Sequence, residues 1–595
     1  MELGYLDLGI IFGFFIITLG IGVLVSKKAG KNSSEFFLSG RNMPWWLLGV
    51  SMVATTFAAD TPNLVAGIVR KDGIAGNWAW WAFLLTGMLT VFIYARLWRK
   101  LGISTDLEFY EIRYKGKAAA FLRGFRAIYL GVFFNIVIMA TVCLAGVKIG
   151  HTMLGLSAFE TLGIASVVTV LYSLLGGLKG VILTDFFQFI IAMVGSIWAA
   201  YFIIDLPEIG GMEGLLSHPQ VQEKLNFVPR SNDSSEVWLN LLIIPLAVQW
   251  WSVWYPGAEP GGGGYIAQRM LAAKDEKHAT AATLFFNFAH YALRPWPWII
   301  IALASLVLFP TLADIKAQFP GLNEDLYQHD LAYPAMLTYL PAGLLGLVLA
   351  SLISAFMSTI STHLNWGSSY VVNDFYKRFI QPKASEKTLV LVGRISTAVM
   401  MVLAALLSVV LEEAKFAFDL ILTIGAGTGL LFILRWFWKA INPYSEITAM
   451  SVSFLVALYF FIADRAYHIT YSESTKLLAG VTITTLSWVL VTLLTKSNRF
   501  MNPEFQNRAF NHTNNNSLTD ISKTDGQIST DGLETRFKNM GIKVLCIFLG
   551  SIGIYSALFS LGEYLVGDPT KSLYLGLVFL ICLGLIAKFW KKLFD

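Results

Sequence analysis

Charged side chains are scarce in this chain. Asp, Glu, Lys and Arg together make 14% of the 595 residues, against 55% hydrophobic ones, a ratio that an ordinary water-soluble domain does not sustain. Cysteine is nearly missing. Its three copies, Cys143, Cys546 and Cys582, all fall in apolar stretches, which excludes a disulfide framework and offers no metal-ligand spacing. No long basic run of the nucleic-acid-binding kind occurs, and the formal net charge of +5 comes from lysines and arginines set between apolar runs. The first apolar run, 5–26, has no basic lead and is long enough to span a bilayer, so no cleavable signal is expected.

Apolar length is what the chain has in abundance. Runs able to cross a bilayer lie near 5–26, 45–70, 77–98, 124–149, 158–178, 181–204, 237–257, 281–309 and 342–375. Six more follow near 387–411, 416–440, 446–465, 475–495, 541–563 and 571–591. This predicts an all-α polytopic membrane protein of about 15 transmembrane helices. Alternate loops are basic, with Lys27 and Lys28, then a cluster from Arg96 to Arg126, then Arg269, Lys274 and Lys277, then Lys377 and Arg378. The positive-inside rule therefore expects an outside N-terminus and a cytoplasmic C-terminus in a cell membrane.

The run at 342–376 carries hydroxyls along an apolar helix. Ala355, Ser358, Thr359 and Thr362 fall at i, i+3, i+4 and i+7 and share a face, which Ser351, Ser354 and Ser361 widen. Small residues serve close helix packing, and hydroxyls can bond their own i−4 carbonyls. Neutral oxygens in that pattern also suit a hard cation such as Na⁺.

Four motifs carry a resemblance. They are Phe37-Leu38-Ser39-Gly40-Arg41 with Pro44-Trp45-Trp46; Tyr172-Ser173-Leu174-Leu175-Gly176-Gly177-Leu178-Lys179-Gly180-Val181 with Thr184-Asp185 and Gln188; Tyr265-Ile266-Ala267-Gln268-Arg269; and Met357-Ser358-Thr359 ahead of Asp374-Phe375-Tyr376. In this order they resemble the sodium:solute symporter family, which includes bacterial sodium/sugar, sodium/proline and sodium/sialic-acid symporters. The resemblance implies inverted five-helix repeats, the LeuT-like transporter fold. Its expected parts are an N-terminal helix and loop (1–44), a first repeat (45–204), a second repeat with external loops (205–440) and two further helices (441–496). A disordered cytoplasmic linker (497–540) and two appended helices (541–595) complete the chain.

The resemblance also implies site residues. The family's shared Na⁺ site maps to carbonyls of Ala54, Phe57 and Ala355 and hydroxyls of Ser358 and Thr359. A second Na⁺ site, present in some relatives, maps to Asp185, Ser361 and Thr362, although Asp185 could equally cap or pair locally. Helix interruptions near such sites free backbone groups as ligands, and Thr55-Thr56 followed by Asp60-Thr61-Pro62 supplies one, since Pro62 cannot donate to Ala58.

For the solute, Thr56, Asp60, Thr61, Trp78, Trp254, His290 and Arg294 are candidates. Asp60 and Arg294 are charges at similar membrane depth, where charge defaults to function. They pair with each other, or Arg294 receives a solute carboxylate; the residues leave both readings open. Two departures weaken inherited sugar specificity: Pro256–Gly264 replaces the family's usual aromatic pair and Asn-Gln, and Asn77-Trp78-Ala79-Trp80-Trp81 stands where sugar transporters have a Glu. The expected function is Na⁺-coupled import of a small polar organic solute, a sugar or a carboxylated sugar-like acid, by alternating access. Alternatives are a sodium/amino-acid symporter or a transporter-fold sensor without transport. No bond is made or broken, so no enzyme is expected. The expected partners are Na⁺, the solute and lipid, with no nucleic acid; the oligomeric state stays open, a monomer included.

Overall fold

The computed structural model describes residues 3–253, 259–319, 327–410, 425, 427–495, 502–510 and 530–594. Its secondary structure is helical, apart from an isolated parallel bridge between Met43 and Ala273. Among the described residues, eleven helices are long and apolar enough to cross a membrane.

Helix α1 (Tyr5–Ala29) leads into α2 (Trp45–Thr55), a break, and α3 (Thr61–Asp72). The break follows from local chemistry. Phe57 N turns to Ala54 O at 3.1 Å, so the Val53 carbonyl loses its helical partner. Thr61 Oγ1 then accepts from Ala58 N at 3.1 Å, and Pro62 sits in the first turn of α3, where a missing N–H costs nothing.

Helices α4 (Ile74–Leu101), α5 (Lys117–His151) and α6 (Ala158–Ile204) follow. The two runs expected at 158–178 and 181–204 are the two arms of α6. They meet at Gly177 (φ 50°, ψ −156°), a conformation that glycine tolerates. A Cβ there would stand 2.6 Å from the Phe36 carbonyl, while one on Gly180 would lie 3.8 Å from Tyr172 O. A straight helix would hold those two residues about 12 Å apart. The Gly176-Gly177 motif is thus a tight reversal, and it brings Tyr172 and Asp185 onto the same neighbouring helix.

The helix expected at 237–257 is broken. One helical run covers residues 235–247, a 3-10 turn follows at Gln249–Trp251, and α7 (Gly264–Ala272) lies beyond residues 254–258, which are outside the described ones. The glycine run before α7 is held by Trp98, whose Nε1 donates to Gly261 O at 2.8 Å, and by Arg126, which pairs with the buried Glu259. After α7 come α8 (Glu276–Leu308), α9 (Leu344–Ile380), α10 (Glu386–Val410), α11 (Gly429–Leu434), α12 (Pro443–Tyr467) and α13 (Glu473–Leu494). Of the run expected at 416–440, residues 416–424 and 426 lie outside the described residues, and the rest contains α11. Helix α9 lies against α6 and α1, and α2 lies between α8 and α6.

The stretch expected to be a disordered linker contains α14 (Pro503–Phe510), whose Phe505 ring packs 5.8 Å from that of Trp436. Residues 497–501 and 511–529 of it lie outside the described residues. Helices α15 (Thr530–Val566) and α16 (Pro569–Phe589) form a hairpin whose α15 arm packs on α8. Behind α16, the carbonyls of Leu593 and Phe594 accept from Arg96 at 2.8 and 3.1 Å, and Arg96 also pairs with Glu276 at 2.6 Å.

Candidate functional site

Of the five residues expected at the shared sodium site, Ala54 and Phe57 flank the α2–α3 break, and Ala355, Ser358 and Thr359 lie in the middle of α9. Ala54, Phe57, Ala355, Ser358 and Thr359 are all buried, and Thr359 Oγ1 comes within 3.5 Å of the Thr55 carbonyl. The donor set is neutral oxygen only, which fits Na⁺ and does not fit a transition metal.

Asp185, on the second arm of α6, is a node of this cluster. Its Oδ2 accepts from Ser51 Oγ at 2.5 Å and its Oδ1 from Ser358 Oγ at 2.6 Å. The Arg269 guanidinium of α7 stands 3.6 Å away and donates to Thr362 Oγ1 at 2.7 Å and to Thr55 Oγ1 at 3.2 Å. Ser361 is turned differently, donating to the Ser358 carbonyl of its own helix at 3.1 Å. Of the three residues proposed for a second sodium, Asp185 and Thr362 meet Arg269 and Ser361 does not join them.

Arg269 belongs in this cluster, which corrects its assignment to a basic loop. It is buried inside α7. Arg113 and Arg126, counted with the basic loops for the same reason, are buried too. The signal for Arg269 was its place in the Gln268-Arg269 motif: Gln268 Nε2 donates to Asn365 Oδ1 on α9 at 2.9 Å.

The solute candidates separate into two groups. Thr56, His290 and Arg294 come together: Thr56 Oγ1 lies 3.0 Å from His290 Nδ1 and 3.1 Å from Arg294 Nη1. Arg294 Nη1 also reaches the freed Val53 carbonyl at 3.3 Å, and its guanidinium stacks on Trp298 at 5.3 Å. Asp60, by contrast, is exposed and forms no ion pair with Arg294. The mutual-pair reading of those two charges is set aside because they point to different surroundings. Thr61 caps its own turn. Trp78 is no open aromatic face: Tyr555 and Phe559 of α15 cover it at 5.3 and 6.0 Å, and its Nε1 donates to Phe227 O. Trp80 stands closer to the cluster, 5.6 Å from the His290 ring and stacked on Tyr291. Trp254 lies outside the described residues.

Residues 36–452 match the family model of the sodium:solute symporter family. The chain belongs to that family. It is 28% identical over 478 residues to a sodium/glucose cotransporter of Vibrio parahaemolyticus, covering 77% of this chain and 85% of the relative. It is 25% identical to sodium/glucose cotransporter 1 of Oryctolagus cuniculus, covering 78% and 72% of the two chains. Sodium/myo-inositol cotransporter 2 of the same animal is 26% identical, with 78% and 70% covered. A solved Na⁺-coupled sialic acid symporter superposes with a TM-score of 0.69 over 83% of this chain and 98% of that one, at 21% identity, which shows a common fold.

The symporter is thus a multi-pass membrane protein with the LeuT-like fold, and Na⁺ is its coupling ion. Its family and relatives are transporters.

Proposed function

We propose that this symporter imports a sugar or sugar-like organic acid together with Na⁺ by alternating access. The observation that carries the proposal is the meeting of the α2–α3 break with Thr359 of α9, one residue after Ser358. A Na⁺ ligated by carbonyls of Ala54, Phe57 and Ala355 and hydroxyls of Ser358 and Thr359 would tie the first helix of one repeat to α9. Five neutral oxygens hold the ion weakly enough to release it. Occupancy favours the conformer that accepts solute, and loss of Na⁺ to a low-sodium cytoplasm lets the two helices part.

The Arg269–Asp185 pair joins α7, α6, α2 and α9 beside this site. We assign it as an internal cation that answers Asp185 without a second Na⁺, giving one coupled ion. With the N-terminus outside, the pair lies on the cytoplasmic side of the sodium residues and closes that side. The solute residues are Thr56, His290 and Arg294 with Trp80. The glucose and myo-inositol relatives support a polyhydroxylated solute.

Reconstitution tests the reading. Proteoliposomes with an inward Na⁺ gradient should accumulate labelled glucose, myo-inositol, glucuronate or N-acetylneuraminate above equilibrium, and a Na⁺ ionophore should abolish this. Equal uptake of all four in Na⁺ and in choline would remove the proposal.

A further inference from the structure

Arg294 carries a charge that no carboxylate among the described residues answers. It is 3% exposed, and no carboxylate pairs with it. Arginine stays protonated in proteins, and a lone cation at this depth of a bilayer is costly. Its hydrogen bonds are one-sided. Nη1 serves the Val53 carbonyl and Thr56 Oγ1, whereas Nε is buried without a partner and Nη2 meets no acceptor among the described residues. The Nε–Nη2 edge is the one that receives a carboxylate through two parallel bonds.

The neighbours of that edge are arranged for a hydroxylated ligand. Thr56 Oγ1 donates to Val53 O at 2.9 Å, so it accepts from Arg294, and His290 Nδ1 is its second donor. His290 Nε2 is then an acceptor.

We propose that the Nε–Nη2 edge of Arg294 binds the carboxylate of the transported solute, which makes the solute a monocarboxylated polyol, a sugar acid, with a hydroxyl donating to His290 Nε2. This rests on the symport reading given above. A neutral sugar would leave the guanidinium charge uncompensated, and so fits this site less well than its acid.

The test compares acids with their own methyl esters, which keep the shape and remove the charge. Full-length protein in proteoliposomes takes labelled glucuronate, N-acetylneuraminate, their methyl esters and glucose under an inward Na⁺ gradient. At least one acid should show an apparent affinity tenfold or more above its ester and above glucose. Arg294→Gln should erase that advantage while retaining the thermal shift caused by Na⁺, and Arg294→Lys should restore only part of it, because a point charge does not reproduce the fork. Esters or glucose transported as well as the acids by the wild type overturn the inference, whatever the variants do. Na⁺-driven glucose uptake with no preference for an acid defeats this inference alone. Absence of any Na⁺-driven uptake defeats the symport reading as well.

Discussion

Arg269 Nη2 lies 3.6 Å from Asp185 Oδ2, with both side chains shut off from solvent. The pair spans α7 and the second arm of α6, and hydroxyls of Ser51, Thr55, Ser358 and Thr362 complete its surroundings. Removing one partner leaves the other charge buried and unanswered, at a cost of about 3–5 kcal/mol. Arg269→Gln and Asp185→Asn should each lower the melting temperature strongly, and the double variant should recover much of the loss. Additive losses in this double-mutant cycle would mean that the two charges do not stabilise each other.

The same geometry sets the stoichiometry. With Arg269 answering Asp185, uptake should depend hyperbolically on Na⁺, with a Hill coefficient near one. A coefficient approaching two in the wild type, reduced by Asp185→Asn, would instead make Asp185, Ser361 and Thr362 ligands of a second ion.

Ser358→Ala combined with Thr359→Ala removes two of the five proposed oxygen ligands. At about 0.5–1.5 kcal/mol for each lost interaction, the Na⁺ concentration giving half-maximal uptake should rise by about fivefold to roughly a hundredfold. An unchanged half-maximal concentration in a well-folded double variant would remove these hydroxyls from the site.

Trp78 should behave as a packing residue. Trp78→Ala opens a cavity beneath Tyr555 and Phe559 and should cost about 3–5 kcal/mol, read as a lower melting temperature, with solute affinity unchanged. A loss of solute affinity without a loss of stability would return Trp78 to the solute site.

Asp106 gives a pH signature. It lies in the loop between α4 and α5, accepts from Tyr370 Oη at 2.5 Å and from Gly264 N at 3.0 Å, and is buried. Burial, reinforced by the nearby Glu259, pushes its carboxyl up to about 6. A carboxyl raised above its unfolded value binds its proton more tightly in the fold, so its contribution to stability falls as pH rises from about 4 to about 6. The melting temperature of Asp106→Asn relative to wild type should therefore climb across that interval. A flat difference would contradict the raised value.

Much of this arrangement was legible along the chain. Pro62 and the hydroxyl spacing on α9 are local signals, so the break and its facing oxygens could be read from neighbours in sequence. The Gly176-Gly177 reversal was legible as a motif, though its reason, the close Phe36 carbonyl, is a contact far along the chain. Arg269 was misassigned because a single arginine near a helix end reads as a loop cation until Asp185 is known to face it. Trp78 failed for the same reason. A tryptophan-rich stretch looks like an aromatic platform unless the distant α15 is known to cover it.

Coupling itself is most directly measured as reciprocity between the two ligands. In detergent-purified wild type, the dissociation constant of the transported solute should fall as Na⁺ rises from about 1 to about 100 mM, and saturating solute should tighten Na⁺ binding by the same factor. Solute affinity that is identical in Na⁺ and in choline would contradict the account.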